Sequence, residues 1–273
     1  MDGILIVDKP LGKTSFDCVR DVRKQYNTKK VGHIGTLDPM ATGVLAILIG
    51  QATKLSDYLM EHDKEYIATL KLGKSTNTGD SEGEIIEEKE VNKNVLDEII
   101  ITEALNSFLG ETYQIPPMYS ALKVNGKKLY EVARSGQEIE RKARKIVITS
   151  IELLNIDKEN KEIQFKVSCS KGTYIRTLCE DIAKKLNTCG YMKSLRRTRV
   201  GNFYIEDEGT FIELEKILVN KPKVNIIDLD KLINGVKINI NLNDGLCNLY
   251  YEDKFVGIGE IKNKILKRKI LTI

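Results

Sequence analysis

For a chain of 273 residues, this one has few cysteines, no long apolar run, no glycine loop of the phosphate-gripping kind and little net charge. Its five cysteines, Cys18, Cys169, Cys179, Cys189 and Cys247, are widely spaced, odd in number and without a CxxC pair. That argues against a disulfide framework and against a zinc site, and the five read as reduced thiols. No apolar stretch approaches the length that spans a bilayer, and the opening MDGILIVDKP lacks the basic and apolar regions of a signal peptide. A cytoplasmic protein with no membrane contact is expected. There is no P-loop, no GxGxxG and no cluster with metal-ligand spacing, so neither a metal nor a nucleotide cofactor is expected.

The charge is nearly balanced, 43 Lys and Arg against 39 Asp and Glu for a net +4, so any polyanion partner must be met by local clustering. Clustering is present. Arg20, Arg23, Lys24, Lys29 and Lys30 form one knot, and Arg141, Lys142, Arg144 and Lys145 a second. Arg196, Arg197 and Arg199 form a third, and Lys262, Lys264, Lys267, Arg268 and Lys269 a fourth. Any one of them reads as a solvated face. Four that flank the chain's motifs suit a protein that follows a folded RNA backbone.

The length accommodates one large domain and a small one. Gly3 to Val7 alternates into a strand, and Thr14 or Ser15 is placed to cap a helix running to about Tyr26. Val44 to Ile49 reads as a buried strand, Gln51 to Met60 has helical periodicity, and Tyr66 to Leu72 alternates as a strand. Thr78 to Glu90 is polar and acidic and reads as an exposed hairpin held off RNA by repulsion. Val95 to Phe108 is an amphipathic helix, and Lys127 to Ser135 a short one ended by Gly136. Ile146 to Ile156 and Ile163 to Ser168 are strands, Tyr174 to Leu186 a helix, and Tyr191 to Tyr204 an extended basic segment. Strands and helices mix without strict alternation, which predicts an α+β fold rather than a doubly wound parallel sheet. Lys221, Pro222 and Lys223 read as a linker between a domain of residues 1–220 and a small β unit of residues 226–273.

The segment that carries the chemistry is Gly32 to Gly43, GHIGTLDPMATG. Pro39 disfavours a helical backbone at Asp38, and the flanking glycines permit positive φ and close approach. The loop therefore presents an acid, with His33 and Thr36 as polar neighbours, in a form suited to nucleophilic or acid–base work. Read without context, an Asp-Pro pair in such a loop is equally a turn or a helix cap.

The context is a series of ordered blocks. DKPLGKTS runs from Asp8 to Ser15, the Asp38 loop follows, then KEYIATLKLG from Lys64 to Gly73 and IPPMYSALKVNGKKLYEVARSG from Ile115 to Gly136. SKGTYIRTL runs from Ser170 to Leu178 and LRRTRVGNF from Leu195 to Phe203. Together they span most of the chain and resemble the TruB family of bacterial synthases that make pseudouridine in the T arm of tRNA. The resemblance implies the pseudouridine synthase fold, a mixed and largely antiparallel central sheet with flanking helices. The small β unit, with GVKI and FVGIGEI, resembles a PUA domain, an RNA-binding β-barrel.

The same resemblance implies the site. Asp38 falls on the nucleophile, attacking either the base or the ribose anomeric carbon, and Arg176 on the guanidinium that pairs with it. Tyr66 falls on the tyrosine that stacks on the flipped base and helps remove the carbon 5 proton. Tyr174 and Leu195 match pocket-lining positions, His33 is the candidate wedge, and Lys9, with Pro10, is expected to bind substrate or buttress the loop. No cofactor is implied. The implied partner is the T arm of tRNA with uridine 55 as target, met by a stand-alone monomer without an obligatory protein partner. Two other readings stay open on sequence: an RNA-binding or tRNA-folding protein without chemistry, and a related synthase with another RNA target.

Overall fold

The computed structural model describes residues 1–120, 122–124, 126–134, 136–137 and 139–272. Strand β1 (Gly3–Lys9) leads into helix α1 (Ser15–Gln25), then β2 (Val31–His33) and β3 (Thr42–Ile49). The helix begins where expected, at Thr14: its hydroxyl accepts from the Asp17 amide at 3.1 Å, while Asp17 Oδ2 accepts from the Thr14 amide at 2.9 Å. This reciprocal box satisfies amide donors that the first turn otherwise leaves bare. In β3, seven of eight residues are buried, because the strand lies inside the sheet with both faces covered.

Helix α2 (Ser56–Met60) follows, then β4 (Lys64–Leu72), whose alternate residues Lys64, Tyr66, Ala68, Leu70 and Leu72 turn inward. A hairpin of β5 (Lys74–Thr76) and β6 (Ile85–Glu88) precedes α3 (Glu98–Asn106) and β7 (Gly110–Gln114). The two short strands β8 (Lys123–Val124) and β9 (Lys127–Lys128) and helix α4 (Leu129–Arg134) come next. The expected helix end at Ser135 lies outside the described residues. Long strands β10 (Arg144–Asp157) and β11 (Glu162–Cys169), helix α5 (Ile175–Lys185) and β12 (Gly190–Val200) complete the layer, with β13 (Phe203–Tyr204) and β14 (Phe211–Glu213) at its margin.

Ten strands form one sheet in the order β14-β1-β3-β12-β4-β11-β10-β7, with β2 on β3 and β13 on β12. Every pairing is antiparallel except β12 against β3, where Arg196 lies opposite Thr42 and Arg197 opposite Gly43. This is the mixed, largely antiparallel sheet with flanking helices that the resemblance implies. The parallel seam sits at the middle of the molecule, directly after the Asp38 loop. Gly43 has φ +104°, and a Cβ there would lie 2.1 Å from the Arg197 carbonyl oxygen, so a glycine is what lets the two backbones meet.

The C-terminal part forms a second sheet from β15 (Lys223–Asn225), β16 (Ile238–Asn239), β17 (Gly245–Tyr251), β18 (Lys254–Lys262) and β19 (Ile265–Leu271), in the order β15-β17-β18-β19-β16. The expected linker is already structured: Lys223 begins β15, and the Pro222 carbonyl accepts from the Asn248 amide at 2.9 Å. Nor does the small sheet stand apart. Leu246, Ile258 and Ile270 share one buried cluster with Ile4, Ile6 and Leu48 of the large sheet, because these apolar faces have no other cover.

Candidate active site

A cavity of about 890 Å³ opens where the Asp38 loop, β4, β12 and the start of α5 converge. The loop is pinned on both sides of Asp38. The Ser15 hydroxyl accepts from the Leu37 amide at 2.9 Å, and the Pro39 carbonyl accepts from the Gly12 amide at 2.9 Å and from Lys9 Nζ at 3.1 Å. Lys9 is fully buried, and its ammonium also donates to the Pro10 and Lys13 carbonyls. Its place is therefore behind the loop, as a buttress. As a direct substrate contact, the other role expected of it, it is sealed off by the backbone it holds.

Asp38 faces the cavity with 38% of its side chain exposed. Arg176 enters from the first turn of α5, with Nε 3.2 Å from Asp38 Oδ2. The same guanidinium places Nη1 3.4 Å from Asp80 Oδ2 and donates to the Thr78 carbonyl at 3.2 Å and the Tyr119 carbonyl at 2.6 Å. Arg176 thus serves two carboxylates and two carbonyls with a fixed fork, a geometry an ammonium lacks. Burial raises the Asp38 carboxyl above its ordinary range; Arg176 pulls the other way, and Asp80 adds to the rise.

Asp80 corrects the reading of Thr78 to Glu90 as an exposed acidic hairpin. The β6 arm is exposed, but Asp80 is only 3% exposed and lines the cavity with Thr78 and Glu82. Its neighbour Gly79 has φ +74° and turns the chain so that the carboxylate meets Arg176 instead of water.

Tyr66, Tyr174 and Leu195 all line the same cavity. Tyr66 points inward from β4 and Leu195 from β12, where Leu195 lies opposite Ala68, two residues along the same face from Tyr66. Tyr174 precedes α5 and is fastened by Gln114, whose amide oxygen accepts from the Tyr174 N–H at 2.8 Å and whose amide nitrogen donates to the Tyr174 carbonyl at 3.0 Å. His33 ends β2 outside the lining of the cavity, with Nδ1 buried and unpartnered; burial lowers its pKa, assisted by the Arg197 charge.

The third basic knot, which alone reads as a solvated face, is largely tied into the fold. Arg196 grips Asp8 through both nitrogens of its fork, at 2.7 and 3.2 Å, and Arg199 donates to the Gly201 carbonyl at 3.1 Å. Arg197 is 1% exposed, donates through Nε to the Val44 carbonyl at 2.8 Å and through Nη2 to the Gly35 carbonyl at 3.1 Å, and borders the cavity. The signal was the strand itself: in a segment with alternating faces, Arg197 shares the inward side with Leu195.

The chain is similar to known proteins over most of its length. Residues 23–175 match the profile of the TruB family pseudouridylate synthase N terminal domain, and residues 176–237 that of the tRNA pseudouridylate synthase B C-terminal domain. The chain is 47% identical to tRNA pseudouridine synthase B of Clostridium kluyveri over 96% of each chain, and 46% identical to the protein of the same name from Clostridium acetobutylicum over the full length of both. Among solved structures, one described as a Cbf5-Nop10-Gar1 complex aligns with a TM-score of 0.70 and 25% identity, over 99% of this chain and 85% of that one.

Proposed function

The chain belongs to the TruB family of pseudouridylate synthases, and on that premise we propose that it converts uridine 55 in the T arm of tRNA to pseudouridine, with Asp38 as nucleophile. The reaction breaks the bond from ribose C1′ to N1 of uracil, turns the base, and joins C1′ to C5, while the proton leaves C5 and N1 regains one. Atoms and electrons balance within the nucleotide, so a carboxylate suffices.

One observation carries this reading: the ion pair between Arg176 Nε and Asp38 Oδ2, at 3.2 Å, at the wall of a cavity whose volume suits a nucleoside. Asp38 attacks either the base or C1′ as an ionised carboxylate, and Arg176 opposes the burial that favours its protonated form. Tyr66 stacks on the uracil and assists removal of the C5 proton, while Tyr174 and Leu195 supply the walls. A stacked uridine reaches this cavity only by leaving the helix, at a cost of a few kcal/mol in stacking. His33, on the strand that leads into the Asp38 loop, replaces the missing stacking partner.

Residues 1–220 form the catalytic unit and residues 226–273 a PUA-like unit that adds affinity for tRNA. The enzyme works as a monomer without a protein partner, in the cytoplasm. Among the described residues, no helix is long and apolar enough to cross a membrane.

The test is nucleoside analysis of T-arm tRNA incubated with the purified chain. Pseudouridine should appear at position 55 with the native chain and be undetectable with Asp38→Asn, while tRNA binding stays within several-fold because the amide is nearly isosteric. Turnover by Asp38→Asn near the native rate removes Asp38 from the chemistry, and no product with the native chain removes the assignment.

A further inference from the structure

Arg197 is a buried cation without a carboxylate partner among the described residues, a costly arrangement that packing alone does not require. Two backbone carbonyls fix the plane of its guanidinium, Val44 at Nε and Gly35 at Nη2. The two carbonyls bracket the Asp38 loop, Gly35 ahead of Asp38 and Val44 in β3. A guanidinium has five N–H donors and no acceptor, so fixing two of them leaves the others with a set direction. Across the strand pair stands Tyr66. The two residues are opposite one another in the register of β4 and β12, both turn inward and both line the cavity, so the phenol and the guanidinium are neighbours.

We propose that Arg197 is a positioning residue for the reaction, acting through Tyr66: its pinned guanidinium donates to the phenol oxygen and holds the ring and hydroxyl where they stack on the uracil and assist loss of the C5 proton. Because arginine is donor only, the phenol oxygen must be the acceptor of this hydrogen bond, and its single proton is left for another partner. The same charge stands ready to stabilise negative charge that grows on that oxygen. The effect on the resting phenol has the matching sign: burial raises the Tyr66 pKa, and Arg197 opposes the rise. A glycine at position 35 accommodates the arrangement, since a Cβ there would lie 3.3 Å from Arg197 Nη1.

This proposal rests on the pseudouridine synthase reading, and two experiments separate its failure from failure of that reading. The first measures single-turnover conversion of T-arm tRNA by the full chain carrying Arg197→Met, Tyr66→Phe or both, each checked for folding by circular dichroism. Arg197→Met should slow conversion by roughly thirtyfold or more beside Tyr66, but by no more than about twofold in the Tyr66→Phe background, with tRNA affinity little changed. Losses that multiply in the double variant, or a loss that lies in binding, overturn the proposal. The second needs no activity and no folded Arg197 variant. With isotope-labelled arginine, the Arg197 guanidinium N–H signals, assigned by proximity to Val44, should move and exchange faster in Tyr66→Phe. Signals that stay unchanged overturn the proposal even if the native chain makes no pseudouridine.

Discussion

At the scale of single residues, the site is an arrangement of charges whose environments oppose one another. Asp38 is pushed towards its neutral form by burial and drawn back towards the ionised form by Arg176, which also carries Asp80. The raised carboxyl has a stability consequence. A carboxyl whose folded pKa exceeds its unfolded value binds more protons in the folded state, so it costs stability as pH rises through the carboxylate range, and the cost is complete above the folded pKa. At neutral pH, Asp38→Asn should therefore raise Tm above that of the native chain while destroying activity. Thermal scans at falling pH should show the difference closing as Asp38 takes up its proton. A variant that melts lower than the native chain at neutral pH would mean that the Arg176 ion pair outweighs desolvation.

At the scale of elements, the parallel seam between β3 and β12 joins the loop that carries Asp38 to the strand that carries Leu195 and Arg197. Its tolerance is set by Gly43. A methyl there meets the Arg197 carbonyl oxygen at 2.1 Å and the Arg197 amide nitrogen at 2.7 Å, both backbone atoms that cannot swing aside, and φ is +104° as well. Gly43→Ala should cost about 3 kcal/mol or more in urea unfolding, through backbone strain and overpacking together. It should also slow conversion, since the seam holds Arg197. A normal urea midpoint would show that the strands separate without penalty. The loop before the seam was legible in the chain: Pro39 and the glycines mark a turn that presents an acid. Asp80 was not, because a run of acidic residues reads as solvated until α5 delivers Arg176 to it, 98 residues away from the Thr78 carbonyl that the same guanidinium binds.

At the scale of the whole molecule, the small sheet shares its core with the large one, so the two are not beads on a string. Removing the chain after Asn225 would strip Leu246, Ile258 and Ile270 from Ile4, Ile6 and Leu48, and the outcome would mix instability with weaker binding. Point changes separate the two effects. Lys262, Lys264 and Lys267 are exposed on β18, β19 and the turn between them, and stand clear of the bonds that occupy Lys269 and Arg268. Changing all three to Gln should leave Tm and single-turnover conversion at saturating enzyme unchanged. It should lower the log-log salt slope of tRNA binding by about 0.9 or less for each phosphate that a lysine no longer neutralises. An unchanged slope would make the small sheet a cover for the large sheet and nothing more.

What the sequence determined by itself is what depends on near neighbours: the capped start of α1, the alternation of β4, the glycine and proline turns of the Asp38 loop, and the ordered blocks that mark the family. Periodicity and turn chemistry act over a few residues, so they survive in a one-dimensional reading. What only the tertiary structure decided is which charges are buried. Arg197 and Arg196 are adjacent in the chain, yet one is sealed beside Tyr66 and the other grips Asp8 at the surface, because a strand turns neighbours to opposite faces. Asp80 and Lys9, likewise, look solvated in the chain and are buried in the fold. A charge leaves water only when distant partners replace its solvation, and which partners arrive is settled by packing.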